Sequence, residues 1–177
     1  MGIFKLQRLY SLPTSTSTEF IEDRFDWKYV KPLTDKGRKL VIEEIEKRMK
    51  QRCSRWEIDP VLKRIWEKYN GGRINKTIKV KGYGEAVFGR LLSMNTQDYP
   101  DNFESVMNDF IVMYNGFHFP GVFAMWILPF AETPNGDIFY CYYDGMYGYC
   151  GVYYWNHETQ SGQLICDSVQ DLLCKLK

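Results

Sequence analysis

The chain has 177 residues, 45% of them hydrophobic and 25% charged, with a net charge of +1. That is enough for one domain with a real core and too little for two. No apolar run reaches transmembrane length, and Lys5 and Arg8 interrupt the opening residues, so neither a membrane span nor a signal peptide is expected and the location should be cytoplasmic.

Residues 1–33 combine a Ser/Thr-rich loop, "LPTSTST", with the aromatic and charged "FIEDRFDWKYV", and read as an N-terminal extension. Thr34 is a plausible cap for a first helix. Val41, Ile45 and Met49 form one stripe, with Leu40 beside it, and the helix runs to about Arg52. A second helix is better marked. Asp59 can cap it, Pro60 fits its first position, and Val61, Leu62, Ile65, Trp66 and Tyr69 share a face. Gly71 and Gly72 end it. Residues 85–94 read as a strand in which Gly89 suggests a bulge. Phe103, Val106, Met107, Phe110, Ile111 and Tyr114 return to helical spacing, with a stop at Asn115-Gly116.

The last third is β-rich. The runs "AMWILPFAE", "DIFYCYYD", "GVYYWNHE" and "GQLICD" are separated by the turn-like "TPNG", "GMYGYC" and "TQSG", which favours an antiparallel meander. A short helix follows, with Ser168 as cap and Asp171 at its third position. The expected fold is α+β, a mainly antiparallel sheet with helices packed on one side. Residues 34–177 form a single domain behind the 1–33 extension.

The stretch "ILPFAETPNGDIFYCYYD" holds Glu132, Asp137 and Asp144 among apolar residues, which raises the question of an acid/base or metal centre. Asn135-Gly136 is a strong hairpin signal, since both residues accept positive φ. Asp137 follows it, where its carboxylate can take backbone N–H bonds from the turn, and Asp144 stands at the next turn. No nucleophile elbow, zinc-helix, P-loop or dinucleotide motif accompanies these acids. The five cysteines (53, 141, 150, 166 and 174) are odd in number and lack a C-x-x-C pair. They read as free thiols, and with only His118 and His157 present no metal and no cofactor are expected.

Charge is unevenly spread. Residues 36–81 carry 15 Lys/Arg against 6 Asp/Glu, and residues 82–177 carry 3 against 11. The acidic segment also holds most of the 13 tyrosines, residues suited to interfaces as well as cores.

The ordered set "KYNGG", "FGRLLSM", "LPFAETPNGDIFYCYYD", "GVYYWNHET" and "SVQDLLCKL" resembles the SUKH superfamily over about residues 36–177. The matching features are Asn70-Gly71-Gly72 closing a helix, Pro129-Phe130-Ala131 in a strand, and Gly136-Asp137 in a turn. Two departures are Ile58-Asp59-Pro60, where the family usually has Leu-Pro, and the first thirty-odd residues, which have no counterpart. The resemblance implies a SUKH-like α+β domain and a non-catalytic binding protein. Many members are immunity proteins that neutralise bacterial toxins, often nucleases, and others are regulatory interaction domains. The implied partner is a basic toxin protein, with neither nucleic acid nor membrane as the target. Tyr147, Tyr149, Asp144, Tyr143 and Glu132 are the candidate contacts. The competing readings are a hydrolase built on Glu132, Asp137, Asp144 and His157, and nucleic-acid binding through the basic segment 36–81.

Overall fold

The computed structural model describes residues 20–30, 42, 43, 45–47, 50, 51, 54–94, 127–144 and 147–177. The helix expected from the spacing of Phe103 to Tyr114 lies outside them, as do Cys53, Thr34, Val41 and Met49. Of the first expected helix, residues 42, 43, 45–47 and 50 are helical, Ile42 is buried and Ile45 half-buried.

Helix α1 (Pro60–Tyr69) begins where the sequence places it. One carboxylate oxygen of Asp59 accepts hydrogen bonds from the backbone N–H groups of Val61 (2.9 Å) and Leu62 (3.2 Å). Val61, Leu62, Ile65 and Trp66 are buried, and the Trp66 indole donates to the carbonyl of Leu92 at 2.9 Å. After the helix, Asn70 is buried. Its side chain accepts from the Met94 N–H (2.6 Å) and donates to Ser93 Oγ (2.9 Å). Asn70 thus staples the helix end to the segment that follows β2.

Six strands follow: β1 (Arg73–Val80), β2 (Gly84–Leu91), β3 (Ile127–Glu132), β4 (Ile138–Asp144), β5 (Gly148–Asn156) and β6 (Ser161–Cys166). They form one sheet in chain order, every neighbour antiparallel. Helix α2 (Val169–Lys175) closes the described chain. The Ser168 hydroxyl accepts from Asp171 N–H at 3.0 Å, as the capping pattern requires. The α+β class read from sequence is the observed one.

Strand β1 was not expected. In "RINKTIKV" the buried residues are Ile74, Ile78 and Val80, with lysines between. The charge density of the segment masked a period-2 pattern. The irregularity expected at Gly89 exists, but the extra residue sits opposite it, in β1 between Arg73 and Lys76.

The sheet curls until its ends are bridged. Thr77 and Lys177 exchange two backbone hydrogen bonds, of 3.2 and 2.9 Å, so the residues after α2 cover the β1 edge. Gln163 Nε2 donates to the carbonyl of Lys81, linking β6 to the β1–β2 turn. Such closure hides edge groups that would otherwise recruit another strand.

The Phe20–Val30 stretch packs on this frame. Glu22 is buried and ion-paired with Arg64 at 2.6 Å, Asp23 pairs with Lys68 at 2.6 Å, and the Trp27 ring stacks on Tyr69 at 4.8 Å. Lys28 and Arg73 exchange backbone hydrogen bonds of 2.9 and 2.8 Å.

The β3–β4 hairpin turns through Pro134, Asn135 and Gly136. Gly136 has φ +87°, and Asn135 does not share the positive region. Thr133 closes the loop: its N–H donates to the Asp137 carbonyl (2.8 Å), and its hydroxyl accepts the Asp137 N–H (3.0 Å). Nothing lies within 4 Å of a Cβ placed at Gly136, so only backbone strain opposes substitution there. Gly136→Val is expected to lose about 1–3 kcal/mol. An unchanged thermal midpoint would contradict the turn assignment.

Candidate partner-binding surface

Register decides which rings can touch a partner. Phe139, Cys141 and Tyr143 of β4 face inward, with Tyr154 and Val152 opposite them on β5. Phe139 packs 5.4 Å from Phe88 and 5.3 Å from Tyr154. Tyr140 and Tyr142 face the other way, with Tyr153 opposite Tyr140 and Leu164 of β6 opposite Tyr153. The Tyr153 ring lies 5.6 Å from Tyr140 and 5.4 Å from Tyr142. Tyr140 is buried, Tyr142 and Tyr153 are half-buried, and Leu164 is 50% exposed. This outward face therefore opens toward β6.

Asp144, Tyr147, Tyr149 and Tyr143 come together at one end of β4. Tyr147 is 73% exposed, and its N–H donates to the Asp144 carboxylate at 3.0 Å. Tyr143 is fully buried, its ring 5.0 Å from Trp56. Tyr149, expected in the loop, belongs to β5. Its ring meets Tyr143 edge-on at 5.5 Å, and burial drives its phenol pKa well above the usual value.

The cause is a bulge. Tyr142 pairs with Gly151 but Tyr143 with Tyr149, leaving Cys150 as the extra residue. The insertion turns Tyr149 to the inner face. Gly151, at φ +119°, allows it, since a Cβ there would lie 2.8 Å from both the Cys166 carbonyl and Leu164 Cδ1. Tyr143 and Tyr149 thus belong to the inner face, where their rings meet each other and Tyr143 meets Trp56.

Glu132 lies elsewhere. It pairs with Ile138 at the far end of β4 from Asp144, roughly 20 Å away for six residues of strand. Arg90 Nε donates to it at 2.9 Å.

Asp137 does not serve its own turn, because Thr133 already does. Its buried carboxylate reaches β5, where it accepts hydrogen bonds from Tyr154 OH, from Asn156 Nδ2 (3.2 Å) and from His157 N–H (3.0 Å). It also meets His157 Nδ1 at 2.8 Å. Burial alone would raise its pKa. The Tyr154 and His157 hydrogen bonds outweigh that and hold it below 3.8. The acids of the hydrolase reading therefore fall in three places: Glu132 on Arg90, Asp144 under Tyr147, and Asp137 with His157. Among the described residues no group of three or more His, Cys, Asp or Glu could hold a metal ion, and no helix is long and apolar enough to cross a membrane. Cys141 and Cys166 are free and buried, Cys150 is half-buried and Cys174 exposed.

Tyr142, Tyr153 and Leu164 share the outward face but carry no signal in the sequence that separates them from the inward rings. Alternation placed Tyr140, Tyr142 and one set of β5 rings on a common face, but which face looked outward needed the β1–β2 half of the sheet.

The arrangement is an α+β fold whose antiparallel sheet carries the exposed Tyr147 ring and the half-buried Tyr142 and Tyr153. The chain belongs to the SMI1 / KNR4 family (SUKH-1), whose family model matches residues 39–175. Membership is compatible with an immunity or interaction role and suggests a partner protein. Neither a curated protein nor a solved structure matches the chain.

Proposed function

We propose that the chain is a non-catalytic immunity protein that neutralises a basic protein toxin, a nuclease being the leading class, by binding it directly. One observation carries the reading. The outward face of β4–β6 offers Tyr142, Tyr153 and Leu164 beside the exposed Tyr147, with Asp144 at one margin and exposed Asp167 at the other. Aromatic and aliphatic anchors inside an acidic rim suit a cationic partner: the rings supply desolvated contact and the carboxylates steer the encounter. On this reading residues 34–177 are the binding domain and residues 1–33 its extension. Asp144 and Tyr147 make contact, Tyr143 and Tyr149 belong to the inner face, and Glu132 belongs to another surface.

The test is protection. A toxin gene found adjacent to the gene for this chain should arrest growth when expressed alone and be silenced by co-expression, and a toxin that kills equally with and without this chain would contradict the reading. Tyr147→Ala combined with Leu164→Ala should keep the fold but lose about 2 kcal/mol of binding or more. Association should slow as salt rises. A double variant that binds and protects like the parent, at every salt concentration, would overturn the interface.

A further inference from the structure

A second surface lies at the opposite end of the sheet. A concavity of about 390 Å³ is lined by Arg73, Asn75, Gly89, Arg90, Glu132 and Pro134. Gly89 permits its shape. A Cβ there would come within 2.8 Å of the Glu132 carbonyl and 3.1 Å of Pro134 Cδ, so the β3–β4 turn can close against bare β2 backbone.

Arg73 stands in its lining, exposed, with its guanidinium carbon 5.7 Å from the centre of the Tyr29 ring. Tyr29 is 77% exposed and has φ +54°, a backbone region that an aromatic residue rarely occupies. The Lys28–Arg73 backbone pair, one residue away, holds it there. An exposed ring gains little packing in return for that strain, and strain without packing points to function.

We propose that this concavity binds a carboxylate-bearing peptide segment of a partner protein, with Arg73 as the anion contact and Tyr29 and Pro134 as the apolar flank. The charges select the ligand. Glu132 neutralises Arg90 inside the concavity, so the excess positive charge is that of Arg73. A planar guanidinium matches a carboxylate in a bidentate fork. A phosphate chain would need a track of cations, and here the wall itself carries the Glu132 carboxylate. This site prefers acidic ligands, whereas the β4–β6 face prefers basic ones, so the two surfaces can be occupied independently.

The probe is a fluorescein-labelled, end-capped Glu-Glu-Tyr-Glu-Glu peptide, titrated by anisotropy against the full chain. Arg73→Glu should weaken binding about tenfold or more, and Tyr29→Gly, which keeps the left-handed backbone, about threefold. Lys79→Glu removes a charge from the same strand outside the concavity and should change binding by less than about twofold. The proposal is overturned by equal losses in Arg73→Glu and Lys79→Glu, which would mean a diffuse field. It is also overturned by an all-Gln peptide binding as well, by no binding at about 1 mM, or by oligo-thymidine binding more tightly with the same dependence on Arg73.

Discussion

Asp59→Ala is expected to lower stability by about 3 kcal/mol, which is a fall of about 10 °C in thermal midpoint for a chain of this size. The residue does two jobs with two oxygens. Oδ1 accepts from Val61 and Leu62 N–H and so caps α1. Oδ2 accepts from Val169 N–H at 3.1 Å, at the start of α2. Asp59 is buried, and water cannot easily replace it. Removing the cap alone costs about 1 kcal/mol, and a buried N–H left unpaired costs about 1–3 more. Asp59→Asn is the informative companion. It can still cap α1 with its remaining oxygen, but its amide then faces the Val169 N–H, donor against donor. Its midpoint should fall between those of the parent and Asp59→Ala. A midpoint for Asp59→Ala within about 2 °C of the parent would show that the link between the helices is unimportant.

The second large effect concerns Asp137. Asp137→Ala leaves the buried Tyr154 hydroxyl without its carboxylate partner and frees Asn156 and His157 at the end of β5. Hydrogen bonds to a charged acceptor are worth about 1.5–3 kcal/mol each at best, so a loss of about 3 kcal/mol is expected. The same residue gives a pH dependence. Its folded-state pKa lies below 3.8, so folding favours the ionised form. Its contribution is complete above the unfolded value near 3.8 and is lost as pH falls through the lower folded value. Acid unfolding followed by circular dichroism should therefore show a shallower loss of stability below about pH 4 in Asp137→Asn than in the parent. Parallel acid limbs would contradict the pairing.

Local chemistry made much of this fold legible. Asp59-Pro60, Ser168 with Asp171, and Asn135-Gly136 each act through neighbours only a few residues away, and each stands where its spacing implies. Features set by distant partners were hidden. Asp137 reads as a turn residue until Thr133 is seen to occupy that role, after which its carboxylate is available to β5. Tyr149 reads as a loop ring until the bulge at Cys150 turns it inward. Strand β1 was obscured because Lys76 and Lys79 alternate with its buried isoleucines and valine, and a basic run looks like a solvated helix or loop when no partner strand is known. Glu132 and Asp144 are close in sequence but stand at opposite ends of the β3–β4 hairpin, Glu132 opposite Ile138 at the start of β4 and Asp144 at the end of β4.

The division of charge becomes intelligible on the sheet. Helix α1 meets Glu22 and Asp23 of the 20–30 stretch through the Glu22–Arg64 and Asp23–Lys68 pairs, which consumes part of the basic excess. Residues 20–30 precede the family-matched span, yet they complete the surface around Arg73. The acidic half keeps Asp144 and Asp167 beside its outward tyrosines.

The most direct test of toxin binding through the β4–β6 face is amide hydrogen exchange of this chain, alone and saturated with its cognate toxin. Protection should rise over residues 140–154 and 161–167, strongest around Tyr147 and Leu164, while residues 20–30 and β1 exchange as before. Protection confined to residues 20–30, α1 and β1, with the β4–β6 face unchanged, would contradict the account.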